Sequence, residues 1–122
     1  MFILIHLFGH TVQWNLSAEH RAVALMQPAT WTDEQLRAAM EYETEAARYS
    51  LQLLHDAGVH DLDQWISDFA ACDCDYLMYF YKTGQKLPFR SFWRDDTPVM
   101  APKAIPEFRP VKWLTRHQGT VV

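Results

Sequence analysis

"FILIHLFGHTVQWNL", residues 2–16, has the residue pattern of two paired β-strands. Its first half is a continuous apolar run of strand length, rich in residues that suit a buried strand. In its second half Val12, Trp14 and Leu16 alternate with polar residues. Gly9-His10 lies between the halves, and a glycine at the first central position of a two-residue loop favours a type II′ turn. The sequence therefore predicts an N-terminal β-hairpin.

Three helical segments follow the predicted hairpin. Ser17 is a suitable N-cap for a short first helix. Thr32 with Gln35 forms the capping-box pattern at the start of the second helix, and Asp61 with Gln64 repeats that pattern at the third. Gly84 is a natural helix stop. The predicted helices cover about residues 17–26, 32–56 and 61–83.

The C-terminal part of the chain has a different composition. Five prolines between residues 88 and 110 exclude a long helix, so this part is predicted to be an extended arm. The segment VKWLT, residues 111–115, is a candidate late strand that would add to the hairpin. The predicted fold class is therefore α+β, in a single domain of residues 1–122. It would have a hairpin-plus-helices body over 1–84 and a C-terminal arm over 85–122.

The charge of the chain is unevenly distributed. Residues 1–81 hold three basic and twelve acidic residues, whereas residues 82–122 hold eight basic and three acidic ones, within a formal net charge of −4. Such asymmetry is a clue to binding partners. No stretch is long enough to span a membrane, and the apolar N-terminus lacks the basic start of a signal peptide. We predict a cytoplasmic protein that does not associate with membranes.

The two cysteines, Cys72 and Cys74, are two residues apart and cannot link distant parts of the fold. On a helix their side chains diverge by roughly 200°, so they cannot share a metal ion while the helix is intact. Together with His55 and His60 they would form a set of zinc-ligand types, but only after a local helix break. We predict that the protein binds no metal and no cofactor.

Two acidic residues, Glu43 and Asp73, fall in the middle of the apolar faces of the second and third predicted helices. Paired carboxylates can perform acid–base chemistry or hold a metal. The alternative is that each is hydrogen-bonded or ion-paired, because a lone buried carboxylate is costly. No ExxH or similar ligand spacing accompanies them, so pairing is favoured. His20, Arg21 and the arginines of the arm are the predicted partners.

No catalytic motif is present in the sequence. The chain has no glycine-rich phosphate loop, no GxSxG elbow, no HExxH and no CxxC. We therefore name no catalytic residue and favour a non-enzymatic protein.

The arm interleaves aromatic and basic residues. Aromatic rings beside cations hold single-stranded nucleic acid, and they also form the energetic centres of protein interfaces. The same rings could instead pack on the body, with Phe89–Trp93 as the anchor. The candidate partner-binding residues are Arg90, Trp93, Arg94, Arg109, Lys112, Trp113 and Arg116.

These features predict a non-enzymatic protein–protein interaction module, a small adaptor or inhibitor that acts through surface complementarity with a protein partner. One alternative is a nucleic-acid-binding protein that uses the arm, with weak affinity because the body is acidic. The other alternative is a small metal-dependent enzyme. The sequence does not set the oligomeric state.

Overall fold

The structure is a computed structural model and describes residues 1–111. In that part of the chain there are four α-helices, one short 3₁₀ helix and no strand. The helices are α1 (Phe2–Leu16), α2 (Ala18–Ala24), α3 (Asp33–Asp56), α4 (Asp63–Thr83) and the 3₁₀ helix Phe89–Phe92. The described part is all-helical, so the predicted α+β class is wrong. Most of the candidate late strand lies outside the described residues.

Helix α1 occupies the segment that was predicted to be a hairpin. Its inward side chains recur at helical spacing, at Phe2, His6, Gly9, His10 and Gln13. The buried side chains of α1 are mixed: His6, His10 and Gln13 are polar, while Phe2, Val12 and Trp14 are apolar. At the same time Ile3, Leu4 and Leu7 are exposed. An ordinary surface helix separates polar and apolar faces. Because α1 does not, its sequence has no recognisable helical period, and this is why it resembled a strand.

Gly9 has a packing role rather than a turn role. A Cβ atom on Gly9 would lie 2.0 Å from the carbonyl oxygen of Ala46 on α3. Glycine therefore permits the backbones of α1 and α3 to approach closely, a use that depends on its missing side chain.

Helix α3 is central, because it contacts α1, α2 and α4. It begins as predicted with a capping box at Thr32 and Gln35. The Thr32 hydroxyl oxygen accepts from the Gln35 N–H at 3.1 Å, and the Gln35 side-chain oxygen accepts from the Thr32 N–H at 3.0 Å. These bonds satisfy backbone donors that a helix start leaves unpaired, so the predicted bounds of α3 are confirmed.

Helix α4 agrees with the prediction at one end only. Its N-cap is Leu62, which makes no side-chain capping bond, so the predicted Asp61–Gln64 capping box does not form. At the other end Gly84 adopts a left-handed φ of 70° and closes the helix, as predicted.

The apolar core lies where α1, α3 and α4 meet, and the arm contributes to it. Met100 of the arm packs against the partly buried edge of this core. The core residues are Phe2, Ala47, Leu51, Ile66 and Ala70. No helix in residues 1–111 combines the length and the apolar character needed to cross a bilayer.

The first part of the arm docks on α4 through its aromatic rings. Phe69 contacts the rings of Phe89 and Trp93 at centroid distances of 6.1 and 4.8 Å, and Phe92 contacts Tyr76 at 6.1 Å. The prediction that Phe89–Trp93 packs on the body is confirmed by these contacts.

Polar contacts fix the arm beyond Trp93. The Thr97 hydroxyl and backbone N–H both donate to Asp68 Oδ1, at 2.6 and 3.0 Å. Lys103 forms an ion pair with Glu45 on α3. The Arg48 guanidinium also donates to the Ala101 carbonyl at 2.9 Å. The arm therefore crosses from α4 to α3, held by backbone and side-chain hydrogen bonds from both sides.

Candidate metal centre

His6, His10 and Glu43 bring their ligand atoms together between α1 and α3. The two histidines are four residues apart on α1, so their rings lie on the same helix face. His6 Nε2 lies 2.8 Å and His10 Nε2 lies 3.2 Å from the same oxygen, Oε2 of Glu43. All three ligand atoms lie within 4.8 Å of one another, and no other group of this kind occurs in residues 1–111.

The Glu43 carboxylate is largely buried but stays ionised. Burial by itself raises the pKa of Glu43, but hydrogen bonds from His10 and His6, together with their charges, outweigh burial and lower that pKa to about 2. Glu43 is therefore an anion at neutral pH, which is the form that binds a metal ion.

Gln13 fixes the orientation of the His10 ring. The side-chain amide of Gln13 faces the backbone carbonyl oxygen of Tyr42 at 2.8 Å. A carbonyl can only accept, so the atom that faces it is the amide nitrogen, and this nitrogen also donates to Glu45 Oε1 at 3.0 Å. The amide oxygen of Gln13 consequently points to His10 Nδ1, at 2.9 Å.

This orientation decides which nitrogen of His10 carries the proton. Nδ1 donates to Gln13, so a neutral His10 has its lone pair on Nε2, directed at Glu43 Oε2. Two acceptors 3.2 Å apart repel unless a positive charge lies between them. That charge is either a second proton on His10 or a metal ion. A histidine that ligates a metal usually donates its other N–H to a neighbouring acceptor, as His10 does here.

The His6 ring is held by packing rather than by a second hydrogen bond. It stacks on Phe2 with a centroid distance of 5.2 Å and meets His10 edge-on at 4.5 Å. Its Nδ1 is buried without a hydrogen-bond partner in the described part of the chain. The ring contacts therefore direct Nε2 to Glu43.

Asp73 of α4 is the fourth polar side chain at this centre. Burial and then the negative charge of Glu43 raise the pKa of Asp73 to about 6, although His6 and His10 oppose the shift. Within residues 1–111 the Asp73 carboxylate has no hydrogen-bond or ion-pair partner, and it lines a cavity that His6 and Glu43 also line. Asp73 therefore provides a hydrogen-bond acceptor in the wall of this cavity.

Two of the partners predicted for Glu43 and Asp73 are engaged elsewhere. His20 pairs with Glu45 at 3.1 Å, and Arg94 of the arm pairs with Asp75 at 2.8 Å. Glu43 is satisfied by the histidines of α1 instead, so the prediction of arginine or His20 partners is wrong for Glu43.

The cysteine–histidine zinc set is not assembled. The Cys72 thiol is buried and donates to the Phe89 carbonyl at 3.3 Å, whereas Cys74 contacts the Thr44 hydroxyl at 3.7 Å. Burial raises the pKa of both thiols. His55 is bound to Asp63 at 2.7 Å. The His55 and His60 rings contact each other with a centroid distance of 4.5 Å, but in residues 1–111 the two histidines and the two thiols form no common group of ligand atoms.

The predicted partner-binding residues fall into three groups. Trp93 packs on Phe69, and Arg94 pairs with Asp75, so these two already serve the fold. Arg90 and Arg109 are exposed, and the Arg90 guanidinium lies 5.3 Å from the centroid of the Trp93 ring. Lys112, Trp113 and Arg116 lie outside the described residues. That these seven residues bind a partner stays a prediction.

No protein-family model, no curated protein and no solved structure matches the chain. The functional inference for this protein therefore rests on the chemistry of its own residues.

Sequence reasoning missed His6 and His10. Their spacing of four residues is the spacing by which two histidines on one helix share a metal ion, as in HExxH. This spacing was visible in the sequence, but it brings the two rings together only if residues 6–10 form a helix. The hairpin prediction placed His10 in a turn instead.

Proposed function

We propose that the protein binds a divalent first-row transition-metal ion through His6, His10 and Glu43. The observation that carries the proposal is the convergence of His10 Nε2 and His6 Nε2 on one Glu43 oxygen, with His10 Nδ1 committed to Gln13. This proposal replaces the sequence-based expectation that no metal is bound.

The distances at the centre suit such an ion. In a tetrahedral zinc site with bonds of about 2.0–2.1 Å, neighbouring ligand atoms lie about 3.3 Å apart. The two histidine–glutamate distances are 2.8 and 3.2 Å, so small side-chain shifts would form the site. Two imidazoles and one carboxylate are the ligand set of zinc sites and of non-haem iron sites. Three protein ligands leave a further coordination position open, as in catalytic metal sites.

Zinc titration of the metal-free protein tests the proposal. We expect calorimetry to show one zinc ion bound per chain. His10→Ala and Glu43→Gln should each weaken zinc binding by about a hundredfold or more, because each removes a ligand. Gln13→Leu should weaken it by about 10–100-fold, because the orienting acceptor of His10 is lost.

His55→Ala is the matched control, since it removes a histidine that pairs with Asp63 away from the centre. Its zinc affinity should equal that of the wild type. The proposal would be wrong if His10→Ala and Glu43→Gln retained stoichiometric zinc, or if His55→Ala lost it.

A second candidate function is a protein–protein interaction in which the partner is a second copy of the chain. It is favoured by the outward face of α1, where Ile3, Leu4 and Leu7 are exposed, whereas the sequence-based prediction placed the partner-binding residues on the arm. Helix α1 contains no Asp, Glu, Lys or Arg, so a second copy of the chain can meet this face without charge repulsion. We expect sedimentation velocity to detect self-association that the double variant Leu4→Gln/Leu7→Gln abolishes. A wild-type protein that remains monomeric at high concentration would exclude it.

The predicted cytoplasmic location also remains a proposal. It rests on the sequence, in which two cysteines two residues apart provide no disulfide framework of the kind that small secreted domains use.

A further inference from the structure

A cavity of about 610 Å³ opens beside the metal centre. This volume is within the range of small-molecule sites, which are mostly apolar with a few placed polar groups. Its polar end is formed by His6, Glu43 and Asp73. Its apolar walls are formed by Met1, Phe2, Ile3, Trp65, Phe69, Tyr76 and Phe89.

The walls are aromatic and hold one another in place. Phe69 stacks on Phe2 at 5.0 Å, meets Trp65 edge-on at 4.7 Å and contacts Phe89 at 6.1 Å, while Phe89 also contacts Tyr76 at 5.6 Å. Aromatic pairs prefer stacked and edge-on arrangements. Walls of this composition suit a flat aromatic ligand.

The polar end favours a hydrogen-bond donor from the ligand. The Asp73 carboxylate lines the cavity and has no partner in residues 1–111, and a carboxylate can only accept. Asp73 is half-buried, so solvent that reaches the cavity can satisfy it. A ligand that fills the apolar part of the cavity displaces this solvent, and a donor hydrogen on the ligand would replace the hydrogen bonds that Asp73 loses.

Charge balance restricts the ligand to a neutral head group. A divalent ion held by His6, His10 and Glu43 has two positive charges, which the carboxylates of Glu43 and Asp73 offset. An ammonium or carboxylate head would add an uncompensated charge beside apolar walls, which is unfavourable. A hydroxyl group meets both needs, since its oxygen has a lone pair for the open metal position and its hydrogen can be donated to Asp73.

We infer that the cavity binds a small aromatic alcohol or phenol, with its ring packed against the aromatic walls that Phe2, Phe69 and Phe89 contribute and its hydroxyl between the metal ion and Asp73. The inference rests on the proposed metal site and adds to it the class of ligand.

Benzyl alcohol is the probe, titrated by calorimetry or ligand-observed NMR against the zinc-loaded full-length protein. It should bind more than about tenfold more tightly than toluene, which lacks the hydroxyl. It should also bind more tightly than benzoate or benzyltrimethylammonium, which carry a charge. Removing zinc should lower the affinity for benzyl alcohol part of the way to that for toluene, because the hydroxyl then keeps only its hydrogen bond to Asp73.

Asp73→Leu separates the ligand site from the metal site. This variant cannot accept a hydrogen bond, so its affinity for benzyl alcohol should fall about tenfold. Its zinc affinity should fall much less than that of His10→Ala or Glu43→Gln, because Asp73 contributes a nearby charge but is not among the three converging ligands. Asp75→Leu is the matched control on the same helix. Asp75 pairs with Arg94 at the surface, so benzyl alcohol binding should be unchanged.

Three results would overturn the inference. Zinc binding without any preference for benzyl alcohol over toluene would refute the ligand class and leave the metal proposal intact. Tighter binding of benzyltrimethylammonium, above all to the metal-free protein, would show that the cavity takes organic cations. Failure of zinc to bind in the separate zinc titration would refute both proposals.

Discussion

Gly9→Ala is expected to destabilise the protein by about 2–3 kcal/mol, although alanine is the better helix former by about 1 kcal/mol. The new Cβ would lie 2.0 Å from the Ala46 carbonyl oxygen and 2.6 Å from the Ala46 Cα. These are backbone atoms, so no side chain can turn aside and the two helices must separate. Overpacking typically costs about 1–3 kcal/mol and occasionally more. Because the new Cβ would clash with backbone atoms that cannot turn aside, Gly9→Ala falls above that typical range, and a net loss of about 2–3 kcal/mol remains after the gain in helix propensity.

Thermal denaturation would measure this effect, with an expected fall in Tm of about 10 °C. Zinc affinity should fall as well, because His6 and His10 lie on the helix that is displaced from Glu43. Gly84→Ala is the control: its Cβ would meet no atom within 4 Å, and only the left-handed φ costs about 1 kcal/mol. A Gly9→Ala protein as stable as the wild type would mean that α1 does not pack on α3 at this point.

Truncation after Gly84 is expected to leave a chain that unfolds or aggregates at room temperature. It removes the rings of Phe89, Phe92 and Trp93, and burial of one such side chain is worth roughly 2–3 kcal/mol. It also removes Thr97 from Asp68 and exposes the face of α4 that those rings cover. The sum is comparable to the whole stability of a small domain, about 5–15 kcal/mol.

Circular dichroism and size-exclusion chromatography of the 1–84 fragment would test this expectation. Arg109→Ala in the full-length chain is the control. Arg109 is exposed, so its removal should change stability by no more than about 0.5 kcal/mol. A monomeric, cooperatively folding 1–84 fragment would show that the arm is dispensable for the fold.

Local signals in the sequence were sufficient to predict the bounds of α3 and the C-terminal end of α4. The capping box of Thr32 and Gln35 and the left-handed Gly84 use contacts within a few residues, so neighbouring residues alone determine them. The helical period also placed Glu43 and Asp73 on inner faces before any partner was known. That periodicity depends only on the geometry of a single helix.

Tertiary structure decided the rest, and α1 shows the reason. Without the rest of the chain, residues 2–16 are an apolar run that suits a strand. They become a helix with buried polar side chains because Gly9 fits against Ala46 and because His6 and His10 find the buried carboxylate of Glu43. Burying polar groups is favourable only when partners receive them, and these partners lie more than thirty residues away in the sequence. The inward position of Glu43 and Asp73 could therefore be predicted from the sequence, whereas the histidine partners of Glu43, and with them the metal site, depended on how α1 packs.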